Sequence, residues 1–245
     1  MRNPFKVDNF KEFTYSKIKH FSFFKEMHEN NIIIDPEECR LKDYQDHLVY
    51  NFILNNIPKG SKLLDIGGGW SRIINKFSKD YECWNIDKLK GKGNGPVKLK
   101  ITGYRLVKDY IGNFNKELPN EYFDFVFSIS VLEHINDKAT FLNICQDIDR
   151  VLKPKGYSLH CFDIVISENT IWANKLLDFM YQYFPVINPL VPLTKLKDDP
   201  DLYVMSEKVY NQYWKPITKQ PYKKYKPLTY NILWQKTISK QLEET

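Results

Sequence analysis

Apolar residues recur along this chain with two different periods. From Lys42 to Ile57, Tyr44, Leu48, Phe52 and Ile53 return at helical spacing, and Pro58, Lys59 and Gly60 end the segment. From Lys62 to Asp163 the pattern changes to short apolar runs separated by helical or irregular stretches, the signature of a parallel sheet covered on both faces. The runs predict strands at Lys62–Ile66, Tyr81–Ile86, Val97–Ile101, Phe123–Ile129 and Tyr157–Ile166, each bounded by turn formers or charge. Between the last two, Phe141, Leu142, Ile144, Cys145, Ile148, Val151 and Leu152 predict an amphipathic helix, with Asn136 or Asp137 as its cap and Pro154 and Gly156 as its stop. A second, aromatic-rich helix is expected from about Asn169 to Phe184. Pro185, Pro189, Pro192 and Pro200 make 185–200 an irregular insertion, and Leu202–Met205 and Leu228–Trp234 are candidates for late strands.

Composition narrows the class without choosing a function. A hydrophobic share of 42% with 27% charged residues belongs to a globular chain, and 245 residues suffice for one α/β domain with additions. The net charge of +6 favours anionic partners, but the lysines are scattered rather than gathered into a binding tail. The run Pro221-Tyr222-Lys223-Lys224-Tyr225-Lys226-Pro227 could stack on and neutralise an RNA backbone, or form a solvated loop before the last strand. Cys39, Cys83, Cys145 and Cys161 stand far apart with no Cys-x-x-Cys pair, which argues against a zinc ribbon or a disulfide framework. His160 and Asp163 are too few ligands for a metal, and none is expected. No stretch approaches the ~18 uninterrupted apolar residues of a membrane span and the first dozen residues lack a signal-peptide core, so the expected compartment is the cytoplasm.

Candidate chemistry concentrates at Leu63-Leu64-Asp65-Ile66-Gly67-Gly68-Gly69-Trp70-Ser71, a strand running into three glycines and then a helix. The glycines permit a sharp bend and close approach of a ligand to the backbone. Asp87 ends the next strand twenty residues after Gly67, where a carboxylate reaches ribose hydroxyls. Arg72 stands where a dinucleotide fingerprint would need a third glycine, and no Lys-Ser or Lys-Thr pair follows for a triphosphate loop.

The glycine stretch resembles motif I of the class I S-adenosylmethionine-dependent methyltransferases. Asn85-Ile86-Asp87 is similar to that family's acidic post-I motif. Tyr122-Phe123-Asp124-Phe125-Val126 with Ser130-Val131-Leu132-Glu133-His134-Ile135 resembles its fourth-strand motif, and Arg150-Val151-Leu152-Lys153-Pro154-Lys155-Gly156 the turn before its fifth strand. The resemblance implies a Rossmann-like α/β fold: a seven-stranded, mostly parallel sheet with helices on both faces. Around the cofactor-binding core, 58–166, it implies an N-terminal helical extension, 1–57, a substrate-side insertion, 167–227, and a final strand with tail, 228–245, all in one globular domain. It further implies S-adenosylmethionine as methyl donor and S-adenosylhomocysteine as product. Asp65 and the backbone of Gly67, Gly68 and Gly69 would hold the methionine end, Asp87 the ribose, and Ser128 and Ser130 would flank the methionyl group.

Three departures stand out. Ser71 occupies a position where many members have glycine, Lys155 replaces one of two glycines, and no acidic residue closely follows the expected third strand to take the adenine amino group, Asp109 being a poor candidate. His134 is a candidate base at the mouth of the fourth strand, with Glu133 orienting it or acting instead; equally, the pair could serve packing alone. No Asn-Pro-Pro-Tyr, Asp-Pro-Pro-Tyr or Pro-Cys sequence marks a base-modifying enzyme. The expected acceptor is a small-molecule, lipid or glycan hydroxyl. RNA-directed methylation and a non-catalytic cofactor-binding scaffold are the alternatives. Tyr15, Phe21, Phe24, Trp172, Tyr181 and Tyr183 lie in the flanking segments, where they line an acceptor pocket or pack added helices.

Overall fold

The computed structural model describes residues 3–24, 34–90, 95–167 and 171–237. The alternation of short apolar runs produces β1 (Lys62–Ile66), β2 (Glu82–Ile86), β3 (Arg105–Val107) and β4 (Phe123–Ile129), followed by a long β5 (Leu152–Ile166), a short β6 (Ile171–Trp172) and β7 (Lys226–Gln235). The order is β3-β2-β1-β4-β5-β6, with β7 also on β5, making seven strands. The first five are parallel, while β6 and β7 run antiparallel to β5. The strand order reverses between β1 and β4, so their carboxyl ends open the crevice in which α/β sheets bind ligands.

Alternating side chains build two apolar layers. Leu63, Phe125, Phe127 and Leu159 face α1 (Leu41–Asn56) and α2 (Arg72–Phe77), whereas Leu64, Ile66, Val126 and Phe162 face α3 (Ala139–Val151) and α4 (Lys175–Tyr183). In α3, Phe141, Ile144, Cys145, Ile148 and Val151 are buried as the period predicts, but Leu142 is exposed. Asp147 on the same helix is wholly buried and accepts the amides of Gly112 and Phe114, pinning the connection between β3 and β4.

Several expectations need correction. Val97–Ile101 forms no strand, because Val97 and Ile101 are exposed and the third strand comes later, at Arg105–Val107. Leu202–Met205 contributes only one bridge, from Leu202 to Lys17. The expected helix from Asn169 begins at Lys175, after Asn174 caps it by accepting the Leu176 amide at 2.8 Å; residues 168–170 lie outside the described residues. The insertion carries short helices α5 (Leu193–Leu196), α6 (Glu207–Tyr213) and α7 (Lys215–Thr218). Ahead of α1, the described N-terminal residues form two 3-10 turns, Val7–Phe13 and Ile18–Ser22.

The outer edge of β7 is covered by two short segments. Ser16 donates its amide to Thr229 O and Thr14 O accepts from Asn231, while Ile187 donates to Leu233 O. An exposed edge strand invites pairing with other chains, and these contacts remove that template.

Candidate active site

The bend after β1 explains its own residues. Gly67 and Gly69 have φ of +66° and +53°, a conformation costly for a side-chain-bearing residue. Gly68 is constrained by space instead, since a Cβ there would lie 2.3 Å from the Asp65 carboxylate and 3.1 Å from Asn85 Oδ1. The glycines thus let the backbone close over Asp65 and let Val131, after β4, pack against Gly67, where a Cβ would meet its Cγ1 at 2.5 Å. Ser71, the departure from glycine, takes φ +30°, caps α2 by accepting the Ile74 amide, and donates its hydroxyl to Asp65. Lys155 likewise takes φ +66° in place of glycine.

Asp65 is 4% exposed, and burial raises its carboxyl pKa to about 7 against the lowering effect of the Ser71 hydroxyl. Asp46 of α1, buried and paired with Arg72 of α2, adds a further upward push. Asn85 ties the bend to β2, accepting the Gly68 amide at 3.2 Å and donating to Gly69 O at 2.9 Å.

Asp87 lies partly exposed at the end of β2, its carboxylate accepting the amides of Gly69 at 2.9 Å and Leu89 at 2.7 Å. Relocating the third strand also changes the standing of Asp109. Its amide and that of Asp87 both donate to Val107 O at 3.0 Å, so the two acidic residues sit side by side at the carboxyl ends of β2 and β3. Asp109 accepts from Asn113 and Asn115 and lies 3.7 Å from Lys88, which together hold its pKa below the usual carboxylate range despite some desolvation. A strand of three residues with one buried side chain was not recognisable beside the more apolar Val97–Ile101 run.

At the carboxyl end of β4 the expected serines part company. Ser128 is fully buried and bonded at 2.7 Å to His160 Nδ1, in the layer facing α3, so its side chain stays inside the sheet. Ser158 donates to Val126 O and therefore accepts from His160 Nε2, which leaves Nδ1 to accept from Ser128. With Trp234 stacked on the ring, burial drives the His160 pKa down to about 3. Ser130, at φ +50°, turns the other way and reaches both Gln45 Oε1 at 2.6 Å and Asp163 Oδ1 at 2.7 Å. Glu133 is 1% exposed, whereas the neighbouring His134 side chain is 75% exposed, its Nε2 3.9 Å from Glu133 Oε1.

The flanking aromatics mostly pack inward. Phe21 meets Tyr44 and Tyr203 edge-on and Phe24 meets Tyr44 edge-on, Tyr15 bonds to Asp199, and Tyr181 meets Asn188 and Tyr230; Trp172 and Tyr183 stay exposed. In the basic run, Tyr222 and Tyr225 pack on α6 through Tyr210, leaving Lys223 and Lys224 exposed. All four cysteines are free and buried. Among the described residues there is no metal-binding cluster, and no helix is long and apolar enough to cross a membrane.

Comparison with known proteins fits this geometry. Residues 64–160 match the methyltransferase-domain family model. A sarcosine/dimethylglycine N-methyltransferase of Aphanothece halophytica is 27% identical over 109 residues, 42% of this chain and 38% of that protein. A ubiquinone biosynthesis O-methyltransferase of Rhodopseudomonas palustris (strain BisB5) is 31% identical over 102 residues, 41% of this chain and 39% of that protein. The similarity to both curated relatives thus spans less than half of their lengths. The N-methyltransferase NodS of Bradyrhizobium japonicum WM9 shares the fold with a TM-score of 0.50 at 10% identity, over 81% of this chain and 97% of that one. Motif, sheet order and family match agree: residues 64–160 match a methyltransferase domain on a Rossmann-like sheet, consistent with the class I S-adenosylmethionine-dependent methyltransferases.

Proposed function

We propose that the protein transfers the methyl group of S-adenosylmethionine to a hydroxyl of a small-molecule, lipid or glycan acceptor. The observation that carries the donor half is the joining of the glycine bend to Asp87, whose carboxylate accepts the Gly69 amide at the mouth of the crevice. When bound, the cofactor supplies an activated sulfonium methyl group. Asp87 would hold the ribose hydroxyls, and Asp109 beside it the adenine amino group. The bend held by Asp65, with Gly67, Gly68 and Gly69, would carry the methionine end together with Ser130. The chain's remaining work is to align an acceptor oxygen and exclude water, with Glu133 and His134 at the acceptor side.

Thermal denaturation with S-adenosylhomocysteine tests this reading. At 100 times its dissociation constant the ligand adds about 2.7 kcal/mol, a rise of roughly 5–10 °C for a chain of this size. Asp87→Ala should abolish the rise without unfolding the protein. No stabilisation of the unsubstituted protein by S-adenosylhomocysteine or S-adenosylmethionine would overturn the proposal.

A further inference from the structure

Glu133 lies in the turn just beyond β4 with both carboxyl oxygens buried and without a hydrogen-bond partner. Such a group is expensive to leave unpaired. Asp163 of β5 stands against it and is fixed from the other side, accepting from Ser130 Oγ at 2.7 Å and Gln45 Nε2 at 2.8 Å. Asp163, Ser130 and Val131 are partly exposed, as are Gly67 and Gly68, so this acidic wall reaches the surface on the glycine-bend side, where Val131 touches Gly67. Around the pair stand Lys42 from α1, Cys161 from β5, Tyr225 from the segment before β7, and His134 from the same turn as Glu133; Asp46 of α1 acts on Cys161. Lys42 is the lysine among them, and it makes no ion pair with either carboxyl.

We propose that Glu133 and Asp163 share one proton and form the proton-accepting subsite for the acceptor hydroxyl. This rests on the methyl-transfer reading above and goes beyond it in assigning the proton. Two neighbouring carboxyls, one fully and one largely buried, cannot both ionise readily, so the pair keeps a single negative charge. In the transfer, the acceptor oxygen bonds to the methyl carbon and the carbon–sulfur bond breaks, its electron pair remaining on sulfur. The hydroxyl proton passes to Glu133. The sulfonium's positive charge and the pair's negative charge are lost together, so neither is stranded. His134, 3.9 Å from Glu133 and largely exposed, then offers the proton a way to solvent. Asp163 is a positioning residue: it stands beside Glu133 and sets the pH at which Glu133 accepts.

The probe is sinefungin, which has carbon in place of the donor's sulfur and a protonated amine where the methyl group stands, compared by calorimetric titration with S-adenosylhomocysteine, whose sulfur is neutral. The unsubstituted protein should bind sinefungin at least about tenfold more tightly, because a full positive charge then meets the pair. The preference should fall to within about threefold in Glu133→Gln, with S-adenosylhomocysteine affinity unchanged. It should also vanish on acidification of the unsubstituted protein as the pair takes a second proton, a measurement that needs no variant. Asp163→Asn keeps the hydrogen bonds from Ser130 and Gln45 but removes the carboxyl that stabilises the single charge by sharing its proton, so the pH at which the preference vanishes should move up; a purely structural residue would leave it in place. Equal affinity for the two ligands in the unsubstituted protein, or a preference untouched by Glu133→Gln, would overturn the subsite while leaving the methyl-donor site standing. Absence of S-adenosylhomocysteine binding would instead remove the reading beneath both.

Discussion

Gly68→Ala isolates the packing of the glycine bend from its backbone conformation. A methyl group at this position would sit 2.3 Å from Asp65 Oδ2 and 2.6 Å from its Cγ, far inside van der Waals contact. Asp65 cannot swing aside cheaply, because it is buried and holds the Ser71 hydroxyl. Overpacking costs about 1–3 kcal/mol and a lost buried hydrogen bond about 1–3 kcal/mol, so the substitution should destabilise by about 2–6 kcal/mol. Urea unfolding followed by tryptophan fluorescence reads this as a lowered midpoint with an unchanged slope. The cause is tested by repeating the substitution in an Asp65→Ser background, where the carboxylate is gone. The cost of Gly68→Ala should then drop below about 1 kcal/mol, giving a coupling beyond the ~0.5 kcal/mol of independent sites. Equal costs in the two backgrounds would show that the contact with Asp65 is not what demands glycine.

Three further outcomes follow from buried groups. Burial raises the Asp65 pKa from 3.8 to about 7, so the folded state holds this proton more tightly and the associated stability is present at low pH and lost as pH rises from about 4 to 7. Asp65→Asn should flatten the stability–pH curve there by up to about 1.4 kcal/mol per pH unit, and an unchanged slope in urea titrations at stepped pH would contradict it. His160, whose pKa is lowered to about 3, acts in the opposite sense: its contribution is present above pH 6.5 and lost as pH falls toward 3. His160→Gln should therefore soften acid unfolding between those limits, measured by circular dichroism. Finally, Tyr210→Ala should cost about 3–5 kcal/mol, whereas Lys223→Ala with Lys224→Ala should stay within about 0.5 kcal/mol, both read by urea unfolding; a large effect of the lysine pair would show that they do more than face water.

The glycine bend and its acidic partner were legible because their residues are forced by backbone geometry. Gly67, Gly68, Gly69 and Asp87 directly follow two buried strands whose apolar runs mark their own limits. The third strand was misplaced because apolar content at 97–101 was a stronger signal than the three residues 105–107, and that error alone made Asp109 look remote from the site. Ser128 and Ser130 are two residues apart on a strand and should share a face; the positive φ at Ser130 reverses its direction, which no side-chain pattern records. Helix α1 hid its polar work in the same way. Gln45, Asp46, His47 and Asn51 are all buried, and the apolar period shows where the helix packs but not which polar side chains it carries under the sheet's carboxyl ends.

The clasp on β7 bears on how the chain reaches this state. Asn231 donates to Phe13 O across a separation of 218 residues, and the same early stretch completes the hydrogen bonding of the last strand. Such distant closure is entropically demanding and slows folding. On a ribosome, the parallel strands can be made in sequence, but the border of the sheet must wait for residues 226–235. Until that strand emerges, the outer side of β5 stays open to unwanted pairing, a window that chaperones or rapid chain completion would have to cover.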